Sequence, residues 1–191
     1  GVLETIFKMY KAAFEVSIID ASFLLGIRRV DTILADGTHV TTATQEAYIE
    51  GVFETWYKWL PKEDVETPFP VKCMLTLDES QQVPDEEWQA VLARGYMNAL
   101  GHVGWAAQRT QIPLLYGYGQ CSKMMSRPSE KAWSCVMHMI KWMHQERKQG
   151  LRWRGDGNTR PYGISDASNV ADPLDGRVVF GIHTVLADGP V

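Results

Sequence analysis

The run from Ser129 to Glu146 constrains this chain most. Trp133, Val136, Met137, Ile140 and Met143 recur at helical spacing, which sets them along one side of a helix of about five turns. Such a stripe has to be covered, so the fold must contain a helical layer. A Met and Trp stripe of this kind reads as core rather than as a cofactor box. Gly150 suits a helix stop. After it the pattern changes to short strand-like runs, Leu151-Arg-Trp-Arg154 and Pro161-Tyr-Gly-Ile-Ser165, with a third over Arg177 to Leu186. Helices followed by strands predict an α+β fold.

Covering helices are written upstream. Val2 to Glu15 places Leu3, Ile6, Met9, Tyr10, Ala13 and Phe14 on one face, and Gln45 to Leu60 does the same with Tyr48, Ile49, Val52, Phe53, Trp56 and Trp59. Thr42 followed by Gln45 resembles a capping box for the second of these. Glu86 to Gln108 reads as one long helix whose small residues Gly95, Ala99, Gly101 and Gly104 allow close packing. Leu114 to Met125 reads as another, after Pro113. Phe23 to Val30 and the run ending at Val40 form a hairpin about Asp36-Gly37. Thr67-Pro68-Phe69-Pro70 must be extended.

The length of 191 residues and 45% hydrophobic content suit one large domain, or one and a half, with a real core. No apolar run approaches the roughly 18 to 20 residues that span a bilayer, so no membrane role is expected. The three cysteines, Cys73, Cys121 and Cys135, are odd in number and widely spaced, which argues against a disulfide framework and for a reducing intracellular compartment, cytoplasm or nucleus. Cys135, His138 and His144 do not share one helix face, so a structural zinc is not expected. The chain starts inside a helical pattern and stops after a Gly-Pro turn, as a fragment does.

Charge is unevenly spread. Pro61 to Ala90 holds eight acids against two lysines, and Cys121 to Arg160 holds nine bases against three acids, giving net −6 and +6 in a chain of net −4. The basic block, with Trp133, Trp142 and Trp153 interleaved, is either a phosphate-facing surface or a solvated helix face. Asp166 ends a short strand, with Asp172 and Asp175 in the next turn. That pattern suits either a hard cation such as Mg²⁺ or an ordinary turn. There is no Gly-rich phosphate loop after a strand and no Ser/His/Asp order.

The order of these landmarks resembles the polyprotein of copia-type retrotransposons, from just after the reverse-transcriptase active site into the start of ribonuclease H. Phe14-Glu-Val with Phe23-Leu-Leu-Gly-Ile27 is similar to the post-catalytic block. Gln45-Glu-Ala-Tyr-Ile49 resembles a Gln-x-x-Tyr-Ile helix start, and Thr67-Pro68 a Thr-Pro loop. Ala93 to Trp105 is similar to a Gly-x-Leu-x-Tyr helix, Met124-Met-Ser-Arg-Pro128 with Trp133 to a Met-x-x-Pro segment, and Ser165-Asp-Ala-Ser168 to a Ser-Asp-Ala strand. Two sites depart from the pattern. Arg109-Thr-Gln-Ile112 stands where the family has Arg-Pro-Asp-Ile, and Val178-Val-Phe180 stands in place of a Ser-rich turn.

The resemblance implies a helical thumb-and-connection region over residues 1–147 and, over 148–191, the first antiparallel strands of an incomplete ribonuclease H-like sheet. It implies RNA-directed DNA polymerase and ribonuclease H activity for the parent. Asp166 becomes the first nuclease carboxylate and Mg²⁺ ligand, and Asp172 and Asp175 become turn residues. Lys123, Arg127, Lys131 and Lys141 become the grip on an RNA/DNA template–primer duplex, with the remainder of the polyprotein as partner. The polymerase carboxylates and the other nuclease carboxylates are not among these residues, so the chain is expected to be inactive alone. The competing expectations are a non-catalytic nucleic-acid-binding or subunit-packing module, and a decayed product without function.

Overall fold

The computed structural model describes residues 2–15, 22–155, 160–167, 180–186 and 189–190. Its centre is the helix expected from the stripe, α7 (Glu130–Gln145). Ser129 starts it, its hydroxyl accepting from the Ala132 amide at 3.2 Å. Glu130 in the first turn complements the helix dipole. The five stripe residues are buried, and so are Cys135, Met139 and Trp142. The burial is wider than a single stripe because helices lie on several sides of α7.

Those helices are α2 (Glu46–Trp56), α4 (Asp85–Arg94), α5 (Tyr96–Ala107) and α6 (Leu115–Ser122), with a short α3 (Leu77–Gln82). Trp56 of α2 meets Trp133 of α7 edge to face, with ring centroids 5.8 Å apart. Of the small residues expected to allow close packing, Ala99 and Gly104 are buried, whereas Gly101 is exposed with nothing near its missing Cβ. Tyr96 donates its buried hydroxyl to the Cys121 carbonyl at 2.8 Å, tying α5 to α6.

The expected long helix over 86–108 is two helices. Gly95 has φ +107°, a left-handed conformation that ends α4 and lets α5 start in a new direction. A Cβ there would stand 2.9 Å from Cη2 of Trp56. The capping box also lies elsewhere. Thr42 is drawn into a strand, and Gln45 is fully buried with no capping bond, its Oε1 accepting from the Thr110 hydroxyl at 2.8 Å. The box forms at Thr76 and Glu79, where side chain and backbone satisfy each other at the start of α3.

The hairpin forms as β2 (Ile27–Ile33) and β3 (His39–Thr44), flanked by the two-residue β1 (Phe23–Leu24). Leu151–Gly155, β4, does not join the strands that follow it in sequence. It pairs antiparallel with β3, Leu151 opposite Ala43 and Gly155 opposite His39, giving the sheet order β1-β2-β3-β4. A second antiparallel sheet holds β5 (Tyr162–Ala167), β6 (Phe180–Leu186) and β7 (Gly189–Pro190). Mixed helices and antiparallel sheets make the class α+β.

At the start of β4, Gly150 comes so close to β3 that a Cβ would meet the Ala43 carbonyl oxygen at 2.1 Å. By contrast α1 (Val2–Ala13) buries none of its residues, and Leu3 is 81% exposed. Among the described residues no helix is long and apolar enough to cross a membrane.

Gly150→Ala and Gly95→Ala are each expected to lower stability by about 1–3 kcal/mol, the first from backbone overlap and the second from a strained φ. Gly119→Ala in α6, where a Cβ meets nothing within 4 Å, should be neutral or stabilising by up to about 1 kcal/mol. Urea titration of the three variants checks the ranking.

Candidate nucleic-acid interface

The cations proposed to meet phosphate lie along and just before α7, and three of them already hold carboxylates. Arg127, in the turn before α7, directs Nη2 at Asp85 Oδ1 (2.6 Å) and the Val83 carbonyl (2.8 Å), with its guanidinium over Trp88. Its own carbonyl accepts from the Ser80 hydroxyl at 3.0 Å. Lys131, in the first turn of α7, donates to the Met74 carbonyl (2.7 Å) and to Glu79 Oε1 (3.0 Å). Lys141 reaches Asp64 at 3.1 Å from a largely buried position. Lys123, at the C-terminal end of α6, is half-buried and engaged with a neighbour.

These partners come from one place in the sequence. Asp64, Glu79 and Asp85 belong to the acidic block at 61–90, which supplies a carboxylate to each of these three cations. Glu87 of the same block accepts from the Glu130 amide at 2.9 Å, one of the unpaired donors at the N-terminus of α7. The opposite polarity is seen at the first turn of α7. Arg94 grips Glu130 through two bonds of 2.7 and 2.6 Å, its guanidinium lying over Trp59 and Trp133. Two further bases of the block, and one histidine, also hold carboxylates. Arg147 and His144 both hold Glu50 (2.5 and 2.9 Å), and Arg154 reaches Asp36 at 3.6 Å. Reading the two charged blocks apart missed this pairing, although their equal and opposite net charge was the available signal.

His138 Nε2 lies 2.8 Å from the Thr67 carbonyl, and His144 stacks on Phe53 with centroids 3.6 Å apart. Cys135 faces Cys73. The trio Cys135, His138 and His144 therefore points three ways. His102 Nδ1 sits 3.0 Å from the Tyr48 hydroxyl, and burial pushes the imidazole pKa down and the phenol pKa up.

Asp166 lies in β5, its backbone opposite Gly181 of β6; its carboxylate lies outside the described groups. Asp172 and Asp175 lie outside the described residues. Among the described residues no group of three or more His, Cys, Asp or Glu side chains could hold a metal ion.

Hydrogen bonding to Arg94 holds the Glu130 carboxyl below the ordinary glutamate range. A depressed carboxylate contributes stability that is present above its unfolded pKa and is lost as pH falls through the folded one. Glu130 is half exposed, so the contribution is screened to about 1 kcal/mol. Glu130→Gln should lose that amount at neutral pH and converge with the parent in acid, below the usual glutamate range. Urea midpoints across the acid limb check it.

Compared with protein-family models, with curated proteins and with solved structures, the chain matches none of them.

Proposed function

We propose that the chain is a segment of a copia-type RNA-directed DNA polymerase with ribonuclease H, and that it serves there as a helical packing unit carrying the first nuclease carboxylate, Asp166. What supports this reading is where the family-like segments fall. Phe23 to Ile27 makes the β1–β2 turn, and Gln45 stands immediately before α2. Ala93 to Trp105 spans the α4–α5 junction, Met124 to Pro128 makes the turn into α7, and Ser165 to Ala167 lies on β5. Segments that resemble one family in order thus mark successive elements of one fold, as they should if they were selected to build it.

In this reading the helical unit packs first and binds nucleic acid second. Phosphate at Arg127, Lys131 or Lys141 must displace a carboxylate that is already in place. Packing against the rest of the polyprotein has its own support: Leu3 and Met9 of α1, Phe14 just after it, and the Val30 and Ile33 side chains of β2 are exposed apolar groups. Mg²⁺ enters only through Asp166. Hydrolysis with two metal ions needs several carboxylates, which the described residues do not assemble; in this reading the remaining polyprotein supplies them.

The reading has two tests. Purified 1–191 should show no Mg²⁺-dependent primer extension and no cleavage of an RNA–DNA hybrid, and a transcript containing it should encode a Tyr-x-Asp-Asp strand upstream and further carboxylates downstream. Activity of the chain alone, or flanks without those signatures, would overturn it. For the duplex, replacing Arg127, Lys131 and Lys141 with Ala should change the slope of log affinity against log salt by less than about one unit. Three phosphate contacts would contribute about −0.9 each, so a change near three would restore the grip to these residues.

A further inference from the structure

The described cysteines are not equivalent. Cys73 Sγ and Cys135 Sγ lie 3.3 Å apart, although 62 residues separate them in sequence. Cys73 is half-buried, in the turn in which its amide donates to the Pro70 carbonyl at 3.2 Å. Cys135 is on α7, one turn after Lys131, and lines an open cleft of about 520 Å³ together with Pro61, Pro70, Lys131, Ser134 and His138. Cys121 is fully buried, and burial pushes its thiol up to about 12. Burial also raises Cys135, while the Lys131 ammonium pulls it the other way. One thiol is thus accessible, a second lies in contact with it beside an open cleft, and a third is sealed away.

We propose that Cys73 and Cys135 form a dithiol redox site that reacts with low-molecular-weight disulfides and closes to a reversible intramolecular bridge. Cys73 is the attacking group because it is the more accessible. Its thiolate attacks one sulfur of the disulfide, forming a mixed disulfide and expelling one thiolate. Cys135 then attacks the Cys73 sulfur, forming the Cys73–Cys135 bond and expelling the second thiolate. The protons of Cys73 and Cys135 pass through solvent to the two thiolates released. The protein dithiol loses two electrons and the small disulfide gains them, leaving two small thiols.

Closure asks for little movement. The sulfurs must approach by about 1.3 Å to reach bond length, with rotation about the side-chain torsions. The bridge reinforces a contact that exists already: Lys131 holds the same loop through the Met74 carbonyl and Glu79. Oxidation therefore locks the 70–76 segment onto α7 without asking for a new docking geometry. Because the closed loop is long, the denatured chain is strongly restricted and the melting temperature should rise by about 10 °C.

The test equilibrates the full chain with glutathione disulfide, then alkylates and maps the peptides. One free thiol, Cys121, should remain of three, the intact mass should fall by two hydrogens, and the Cys73 and Cys135 peptides should be joined. Dithiothreitol should reverse all three changes and the rise in melting temperature. Cys135→Ser should stop at a stable glutathione adduct on Cys73, and Cys121→Ser should still form the bridge. Three alkylatable thiols after treatment, an unresolved Cys73 adduct in the parent chain, or a bridge to Cys121 would each overturn the assignment. Peptide mapping of the parent chain decides the matter even where a Cys variant fails to fold.

Discussion

Burial of α7 is the constraint on which the other elements depend. Each fully buried Ile, Met or Val side chain is worth about 1.5–3 kcal/mol, and α7 carries several of them together with Trp133 and Trp142. No surface ion pair competes, since such pairs are worth up to about 1 kcal/mol each. The neighbours are shaped to let α7 in. Gly117 of α6 has no Cβ because Phe69 and Met139 Sδ would meet it at 2.6 and 2.7 Å. Gly104 of α5 leaves the equivalent room for the ring of Tyr118. Close packing thus dictates a small residue on α6 where it meets α7 and another on α5 where it meets α6.

Packing alone does not explain how the 61–76 segment finds its place. It has few buried apolar anchors, chiefly Phe69 and Leu75, and it forms no regular element before α3. Charge supplies the register. Asp64 meets Lys141 and Glu79 meets Lys131, while the Thr67 carbonyl meets His138 and the Val65 backbone meets Gln145. Each bond is individually weak. Together they specify one alignment of an extended chain against a helix, because a slip would strand like charges or unpaired backbone groups.

This division explains what was legible in the sequence. The stripe on α7, the apolar face of α2 and the hairpin about Asp36-Gly37 were readable because local periodicity and turn chemistry report directly on local structure. Gly95 was read as a small packing residue. Its left-handed φ also ends α4, and the Trp56 ring that lies against the bend comes from 39 positions away. The Thr42–Gln45 pattern failed as a cap for a similar reason: β3 claims Thr42 for the sheet, and Thr110 claims Gln45 for the interior. β4 carries a strand signal, but nothing local says that its partner is β3, across more than a hundred residues. The cations of the candidate interface were legible as a block. Their occupancy was not, because it is a property of two distant blocks taken together.

That occupancy also changes what a basic block means for nucleic-acid affinity. A free lysine that meets a phosphate releases the counterions condensed there, and the gain grows as salt falls. A lysine already paired with a carboxylate exchanges one anion for another, and the displaced carboxylate attracts its own counterions again. The net release is smaller and the salt dependence flatter, even where the final contact looks the same. In the Lys141–Asp64 and Arg127–Asp85 pairs the carboxylate is the more exposed partner and so the part that can swing away, whereas Lys131 and Glu79 are equally placed. Any phosphate at these side chains would first have to displace the carboxylates they already hold.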